Sequence, residues 1–407
     1  MIIKSIRRFF DAIEPIFRHG GRLENLGAVY EMFDTFFFSP ADVTRHAPHV
    51  RDALDLKRLM VYVVFAVTPA ALWGMYNVGY TANLALSQLG QTPTDWRAHL
   101  LMAIGIGFDS NNWLDCYWHG FMYFFPIYVV TMVVGLGIEI IFAAVRNHEV
   151  NEGFLVTGML YALILPATTP LWQVALGIAF GVVFAKEVFG GTGKNFLNPA
   201  LVARAYLYFA YPASQSGDAV WVPVDGYTAA TALSYAKAGG VAAITSHGIT
   251  WWDAFIGNIQ GSIGETSTLM CIIGAFILLY TRIASWRIIA GVLTGMIATS
   301  TTFNILAMTG IVSTTAYTTP FWWHLVLGGF AFGTVFMATD PVSGSITNKG
   351  RWIYGALIGF MVILIRVVNP GYPEGMMLAI LFGNVFAPVI DHFVGQANIR
   401  RRLLRNV

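Results

Sequence analysis

The sequence predicts an all-α polytopic membrane protein of about ten transmembrane helices, on three observations. Hydrophobic residues make up 56% of the 407-residue chain and charged residues 11%, against about 25% charge in soluble domains. Apolar runs long enough to cross a hydrocarbon core of about 30 Å recur from residue 59 onward. The cationic side chains collect on one side of those runs, as they do when a chain is oriented in a bilayer.

Residues 1–56 precede every span. Ile2, Ile3, Ile6, Phe9, Phe10 and Ile13 recur at helical spacing with Lys4, Arg7 and Arg8 among them. That pattern is a basic amphipathic helix lying on a lipid surface. It is not a cleavable signal, because no continuous apolar core follows the charges. An aromatic stretch, Tyr30-Glu-Met-Phe-Asp-Thr-Phe-Phe-Phe38, ends at Pro40 and reads as an interfacial segment or a docking surface.

The spans are expected at 59–79, 120–144, 153–166, 171–188, 197–211, 266–284, 287–308, 321–338, 352–368 and 374–394. The third to fifth are short and interrupted by Gly and Pro, so broken or re-entrant helices are expected there. The chain thus divides into a cytoplasmic segment 1–56, a first bundle 57–211, a polar loop region 212–264, a second bundle 265–394 and a basic tail 395–407.

Charge sets the orientation. Nine of the 24 Lys and Arg residues precede the first span. Arg146, Lys186, Lys194, Arg282, Arg287, Lys349, Arg351, Arg400, Arg401, Arg402 and Arg405 fall on the same side, which makes twenty against Arg97 and Lys237 opposite. Both termini are therefore expected in the cytoplasm and the polar loop on the outer face.

That loop contains Asp225-Gly-Tyr-Thr-Ala-Ala-Thr231. Gly226 permits a turn, Asp225 and Thr228 are candidate caps for a following helix, and Thr231 offers an exposed hydroxyl. Long polar loops in so apolar a chain are often functional.

An internal repeat follows. Thr168-Thr-Pro-Leu-Trp172 precedes Gly177-Ile-Ala-Phe-Gly-Val-Val-Phe184, and Thr318-Thr-Pro-Phe-Trp322 precedes Gly329-Phe-Ala-Phe-Gly-Thr-Val-Phe336, with two extra residues in the second copy. Such repeats mark transporters with a site at the repeat interface. Four spans between the copies would make them parallel; inverted five-helix repeats would need one more crossing or a re-entrant segment. Phe180/Phe184 and Phe332/Phe336 each share a helix face, and two such faces across an interface would form an apolar constriction.

Ionisable groups inside a membrane are costly unless they are paired or functional. Glu139, Asp340 and Asp391 are the candidate acids, and Arg204 and Arg366 their candidate partners or contacts for an anionic ligand. Asp340 and Asp391 read equally well as interfacial. Cys116 and Cys271 read as free thiols, and scattered histidines such as His46 and His49 make no metal site. Gly190-Gly-Thr-Gly-Lys-Asn195 lacks the first Gly and the final Ser/Thr of a phosphate loop. No dinucleotide fingerprint or iron–sulfur ligand set is present. Electron handling by this chain would need a flavin or a quinone, and nothing suggests a nucleic-acid partner.

Several stretches together resemble the NqrB family, membrane subunits of the bacterial sodium-translocating NADH:quinone oxidoreductases. They are His49-Val-Arg-Asp52, Asp55-Leu-Lys-Arg58, Trp73-Gly-Met-Tyr-Asn77, His148-Glu-Val-Asn-Glu-Gly153, Lys186-Glu-Val-Phe-Gly-Gly-Thr-Gly193, Asn195-Phe-Leu-Asn-Pro199, Asp253-Ala-Phe-Ile-Gly-Asn258, Met337-Ala-Thr-Asp-Pro-Val-Ser343 and Pro373-Glu-Gly-Met-Met377. The resemblance covers essentially the whole chain. The related RnfD family of the Rnf complex shares the membrane core but usually lacks the long amino-terminal extension present here as residues 1–56.

The resemblance implies a urea-transporter-like fold of two five-helix repeats in the bacterial inner membrane. It implies FMN joined through its phosphate to Thr231, with Asp225 and Thr228 in the same motif and Ala229 where Gly is commoner. It also implies a second, non-covalent flavin (riboflavin), ubiquinone as electron acceptor, and sodium moving outward with no resident metal. A hydrophobic gate maps to Phe332 and Phe336, the cation-pathway acids to Glu139, Asp340 and Asp391, and the quinone-linked region to Gly135 and Glu139. There Leu136 departs from a Gly-Gly pattern. The implied partners are the other members of a six-subunit complex, a periplasmic flavin transferase and membrane lipid. Two other readings stand beside this one: an RnfD-type redox pump subunit, and a flavin-free channel of the urea-transporter kind.

Overall fold

A computed structural model describes residues 2–17, 56–146, 153–311, 314–369 and 374–405, together with Gly21, Gly27 and Tyr30. The His46/His49 pair, the aromatic stretch beyond Tyr30 and the His148 motif up to residue 152 lie outside the described residues. Among the described residues every regular element is helical.

The amino-terminal helix α1, Ile2–Phe17, forms as expected. Arg7 and Asp11 pair at 2.8 Å across one turn, Phe9 is exposed, and the Tyr30 hydroxyl donates to the Phe10 carbonyl at 3.0 Å.

Among the described residues six helices are long and apolar enough to cross a membrane. They are α2 (Leu56–Leu89), α4 (Trp113–Arg146), α6 (Leu171–Ala185, continued by a short turn to Phe189), α11 (Trp286–Met308), α13 (Asn348–Val368) and α14 (Met376–Leu403). Shorter helices fill the remaining expected positions: α5 (Phe154–Ile164), α7 (Pro199–Ala210), α10 (Thr268–Tyr280) and α12 (Phe321–Val326). The 11 residues of α5 reach about 16 Å, half a bilayer. The protein is thus an all-α polytopic membrane protein in which, among the described residues, six full-length helices and four short or broken ones occupy the expected spans.

Three spans are longer than expected. The last runs on to Leu403. The first runs on to Leu89 and the second starts at Trp113, because polar residues there are paired inside the bundle: Asn83 Oδ1 lies 2.7 Å from His119 Nδ1. Nine residues, Trp96–Ile104 (α3), form a further helix, unexpected from the sequence and capped by Asp95.

Small residues set the closest packing. A Cβ on Gly79 would lie 1.8 Å from the Cys116 carbonyl oxygen, and one on Gly120 would lie 1.7 Å from that of Met75, so α2 and α4 cross backbone to backbone. In the second half Gly291 and Gly295 of α11 meet Gly355 and Ala356 of α13 in the same manner, and Gly359 of α13 faces the Val292 carbonyl oxygen. The halves join where Gly274 of α10 faces the Ala66 carbonyl oxygen of α2, which lies 2.4 Å from where a Cβ on Gly274 would be.

The repeat is present in the structure but unequal. Pro170 caps the continuous helix α6, and Pro320 caps α12. The second copy then breaks: Leu327 is extended, Gly328 has φ +60°, and helix resumes only at Phe330. The two extra residues of this copy fall in the stretch that contains the break. Residues Gly333–Met337 continue as a π-helical turn.

The 212–264 region is no open loop. It holds α8 (Ala232–Ser246, kinked at Gly239 and Gly240) and α9 (Trp251–Ile256). Ala232, Leu233, Ala236, Ile244, Ala254 and Ile259 close a small core over Trp323, Val326 and Leu327 of α12. The polar segment is thereby folded onto the break in the second repeat.

Candidate functional site

Thr231 is the N-cap of α8. Its backbone is extended, and its Oγ1 accepts the Ser234 N–H at 3.2 Å and lies 3.1 Å from the Ser234 hydroxyl. The residue is 7% exposed, not freely exposed as expected, because the first turn of α8 buries Ala232, Leu233 and Ala236 and draws the cap in with them. Asp225 and Thr228 do not cap the helix. Both lie on the preceding turn, where Gly226 has φ +79° and the Ala229 N–H donates to the Asp218 carbonyl at 2.8 Å. Asp225 lines a cleft of about 430 Å³ with Asp95, Arg97, Tyr123 and Thr168. Arg97 lies over the Tyr123 ring at 4.5 Å and pairs with Asp95 at 3.4 Å.

Phe332 and Phe336 are both buried, with ring centroids 5.0 Å apart. Phe332 precedes the π turn and Phe336 lies within it; the turn's wide ring is closed by the Ala338 N–H donating to the Gly333 carbonyl at 2.7 Å. Such turns are irregular backbone at which a helix can be re-aimed. The Phe336 ring fills the space Gly274 leaves, 2.5 Å from where its Cβ would be. The first-repeat pair does not face it across an interface: Phe184 is 55% exposed and Phe180 stacks on Tyr206 at 4.4 Å.

The candidate acids are all held by donors. Glu139 is buried and accepts from Lys186 Nζ. Gly135, one turn earlier, gives its side-chain space to the Phe154 ring, 2.0 Å from where a Cβ would be. Asp340 accepts from the Ser343 hydroxyl at 2.6 Å and from the Val342 and Ser343 N–H groups. Burial raises its carboxyl above the ordinary range, and these hydrogen bonds oppose that shift. Asp391 accepts from the hydroxyls of Ser345 and Thr347 at 2.7 and 2.5 Å and from the Ile346 and Thr347 N–H groups at 2.7 and 3.0 Å. It ties α14 to the start of α13.

The arginines do not pair with those acids. Arg366 donates to the His324 and Leu327 carbonyls at 3.1 and 2.8 Å, satisfying oxygens that the helix break leaves open. Arg204 donates to Gln215. Their acidic neighbours are Glu265 and Glu374, each just ahead of a membrane helix. Neither is among the acids expected from the sequence. A signal was available: both precede the apolar runs of α10 and α14 by only a few residues.

A second cavity, at the far end of α6, is lined by Lys186, Asn195, Asn198, Phe336 and Asp340 among others and holds about 70 Å³ of free space. Among the described residues no group of three or more His, Cys, Asp or Glu side chains could hold a metal ion, and Cys116 and Cys271 are free and buried.

Residues 43–400 match the model of the NQR2, RnfD, RnfE family. The chain is 59% identical over 405 residues to NqrB, the Na(+)-translocating NADH-quinone reductase subunit of Pseudomonas aeruginosa PAO1, covering 99% of this chain and 100% of that one. It is 59% identical over the same coverage to the corresponding subunit of Azotobacter vinelandii. With that of Klebsiella pneumoniae it shares 55% over 413 residues, 98% of this chain and 100% of the relative. The chain belongs to the NQR2, RnfD, RnfE family, and within it to the NqrB group of Na+-translocating NADH-quinone reductase subunits.

Proposed function

We propose that this chain is a membrane subunit of a sodium-pumping NADH:ubiquinone reductase that carries FMN on Thr231, passes electrons to ubiquinone and couples this to outward sodium movement. The observation that carries the flavin assignment is the setting of Thr231: a capping hydroxyl at the end of the Asp225–Thr231 motif with the Ser234 N–H and O–H beside it. Those two donors suit the oxygens of a phosphoester, and the motif sits on a folded cap, not on free loop. The full-length match, which takes in residues 1–56, favours this reading over an RnfD-type subunit or a flavin-free channel.

A bound flavin supplies interchange between one- and two-electron transfer. The chain's contribution is positional. Thr231 Oγ1 would supply the ester oxygen, and Ser234 would hold the phosphate at the start of α8. The cleft beside Asp225, at about 430 Å³, falls in the size range of cofactor sites, roughly 300–1,000 Å³. The cavity at the far end of α6, at about 70 Å³, is smaller than that range. Ubiquinone is assigned to the cytoplasmic end near Gly135 and Glu139, where the Lys186–Glu139 pair supplies fixed charge beneath an apolar wall. Sodium is assigned a route past Phe332 and Phe336, whose π turn and Gly-lined seat give the repeat interface two possible packings.

The test is NADH-driven sodium uptake into inverted membrane vesicles of the assembled complex. Uptake is expected to stop with Thr231→Ala while the complex still assembles. Undiminished uptake and quinone reduction in that variant would remove the flavin assignment.

A further inference from the structure

Beneath Thr231 lies a small space lined by Ser262, Glu265, Thr266, Gly328 and Glu374, with about 10 Å³ of free volume. That is the room of a single water or a single bare alkali ion. Its floor is the break in the second repeat. A Cβ on Gly329 would lie 2.4 Å from Glu265 Oε1, and one on Gly328 would lie 3.0 Å from Glu374 Oε1 and 3.2 Å from Arg366 Nη2. Two carboxylates are thus seated on two adjacent glycines, one of which has φ +60°, and any side chain at either position would displace them.

The neighbouring cations do not neutralise these carboxylates by direct pairing. Arg366 Nη1 and Nη2 each direct one N–H to the His324 and Leu327 carbonyls, and Arg204 donates to Gln215. Among the described residues neither Glu265 nor Glu374 forms an ion pair within 4.0 Å. A second observation points into the same space. Thr266 is 4% exposed, and its Oγ1 is a buried hydroxyl without a hydrogen-bond partner. A buried polar atom left unpartnered is costly unless something occupies the cavity beside it.

We propose that Glu265, Glu374 and the Thr266 hydroxyl form a site for one dehydrated monovalent cation at the Gly328–Gly329 break. The donor set is all oxygen, which suits a hard cation. A divalent ion would bring a second positive charge beside the two nearby guanidiniums, which a monovalent ion does not. Those guanidiniums also keep the site weak, so that an ion that enters can leave, as conduction requires. The position is informative: the site lies between the capped Thr231 and the Phe332/Phe336 turn. A charge arriving at Thr231 and a cation at Glu265 and Glu374 would act on the same broken helix. The site presupposes that the chain works within a sodium-translocating complex.

The experiment uses the assembled complex with Glu265→Gln, Glu374→Gln and Thr266→Val, and sodium as the probe against potassium at constant ionic strength. Two quantities are read: the sodium concentration for half-maximal quinone reduction, and the sodium-dependent rise in melting temperature. The acid variants are expected to raise the half-saturating sodium roughly tenfold and Thr266→Val several-fold, the range of one lost ligand, with the thermal response to sodium reduced in step. Thr266→Val replaces an unpartnered hydroxyl with a methyl group, so it keeps the test open if an acid variant does not assemble. Wild-type half-saturation and wild-type thermal response in Thr266→Val and in any acid variant that assembles would overturn the site, leaving a water or a shared proton there. A wild-type complex with no sodium response at all would instead overturn the functional reading itself.

Discussion

Lys186 and Glu139 form an ion pair inside the bundle, with 4% of each side chain exposed. Removing one partner of a buried pair leaves an uncompensated charge and costs about 3–5 kcal/mol. Lys186→Met should therefore destabilise the protein more than the double variant Lys186→Met/Glu139→Leu, in which no charge is stranded. Thermal unfolding in detergent checks this, and equal losses in the two would show that the pair's surroundings already accommodate a lone carboxylate.

Thr231 has a structural duty that can be separated from any chemistry. Thr231→Ala removes the N-cap of α8 at a cost of about 1 kcal/mol, whereas Thr231→Ser keeps the oxygen and should keep the cap. Proteolysis of the α8–α9 region should accelerate in the Ala variant and stay at the wild-type rate in the Ser variant.

Phe336 sits in a slot made by Gly274. Phe336→Ala empties that slot, at about 3–5 kcal/mol for a buried aromatic ring, and should lower the sodium moved per quinone reduced. Gly274→Ala works from the other side, since its Cβ would fall 2.4 Å from the Ala66 carbonyl oxygen and 2.5 Å from Phe336 Cζ. It should slow transport without loosening coupling. The sodium-to-electron ratio in vesicles separates these outcomes.

Asp340 gives a pH prediction. Burial places its carboxyl above the ordinary aspartate value of 3.8, so the folded state holds this proton more tightly than the unfolded chain does. Its contribution to stability is present below the unfolded value and is lost as pH rises through the folded one. Asp340→Asn should flatten that part of the stability curve, provided the Ser343 contacts survive. A curve of unchanged slope would show that the hydrogen bonds from Ser343 and Val342 outweigh burial.

Much of the fold was legible because it rests on composition and period. Apolar runs located all six long helices among the described residues, and the two Thr-Thr-Pro copies located matching helix starts at Pro170 and Pro320. What the sequence did not reveal depends on tertiary contact. The break at Leu327–Gly329 is written as two extra residues, but only the packing of Arg366 against the His324 and Leu327 carbonyls shows that it is held open. Asn83 and His119 extend two helices beyond their apolar runs because each has the other as partner. At the site, the motif pointed to Thr231, yet its burial follows from Leu233 and Ala236 reaching Trp323 and Val326, a pairing with no local signature. Asp391 read equally well as a membrane acid or an interfacial one and is found with four donors.

The central claim is that Thr231 carries a covalently bound flavin, and in-gel flavin fluorescence of the denatured protein tests it most directly. The protein is made beside its flavin transferase, as wild type and as Thr231→Ala, with a second substrate showing the transferase active. A fluorescent band is predicted in wild type and should be lost in the variant. No band in wild type, or an equal band in both, would contradict the claim.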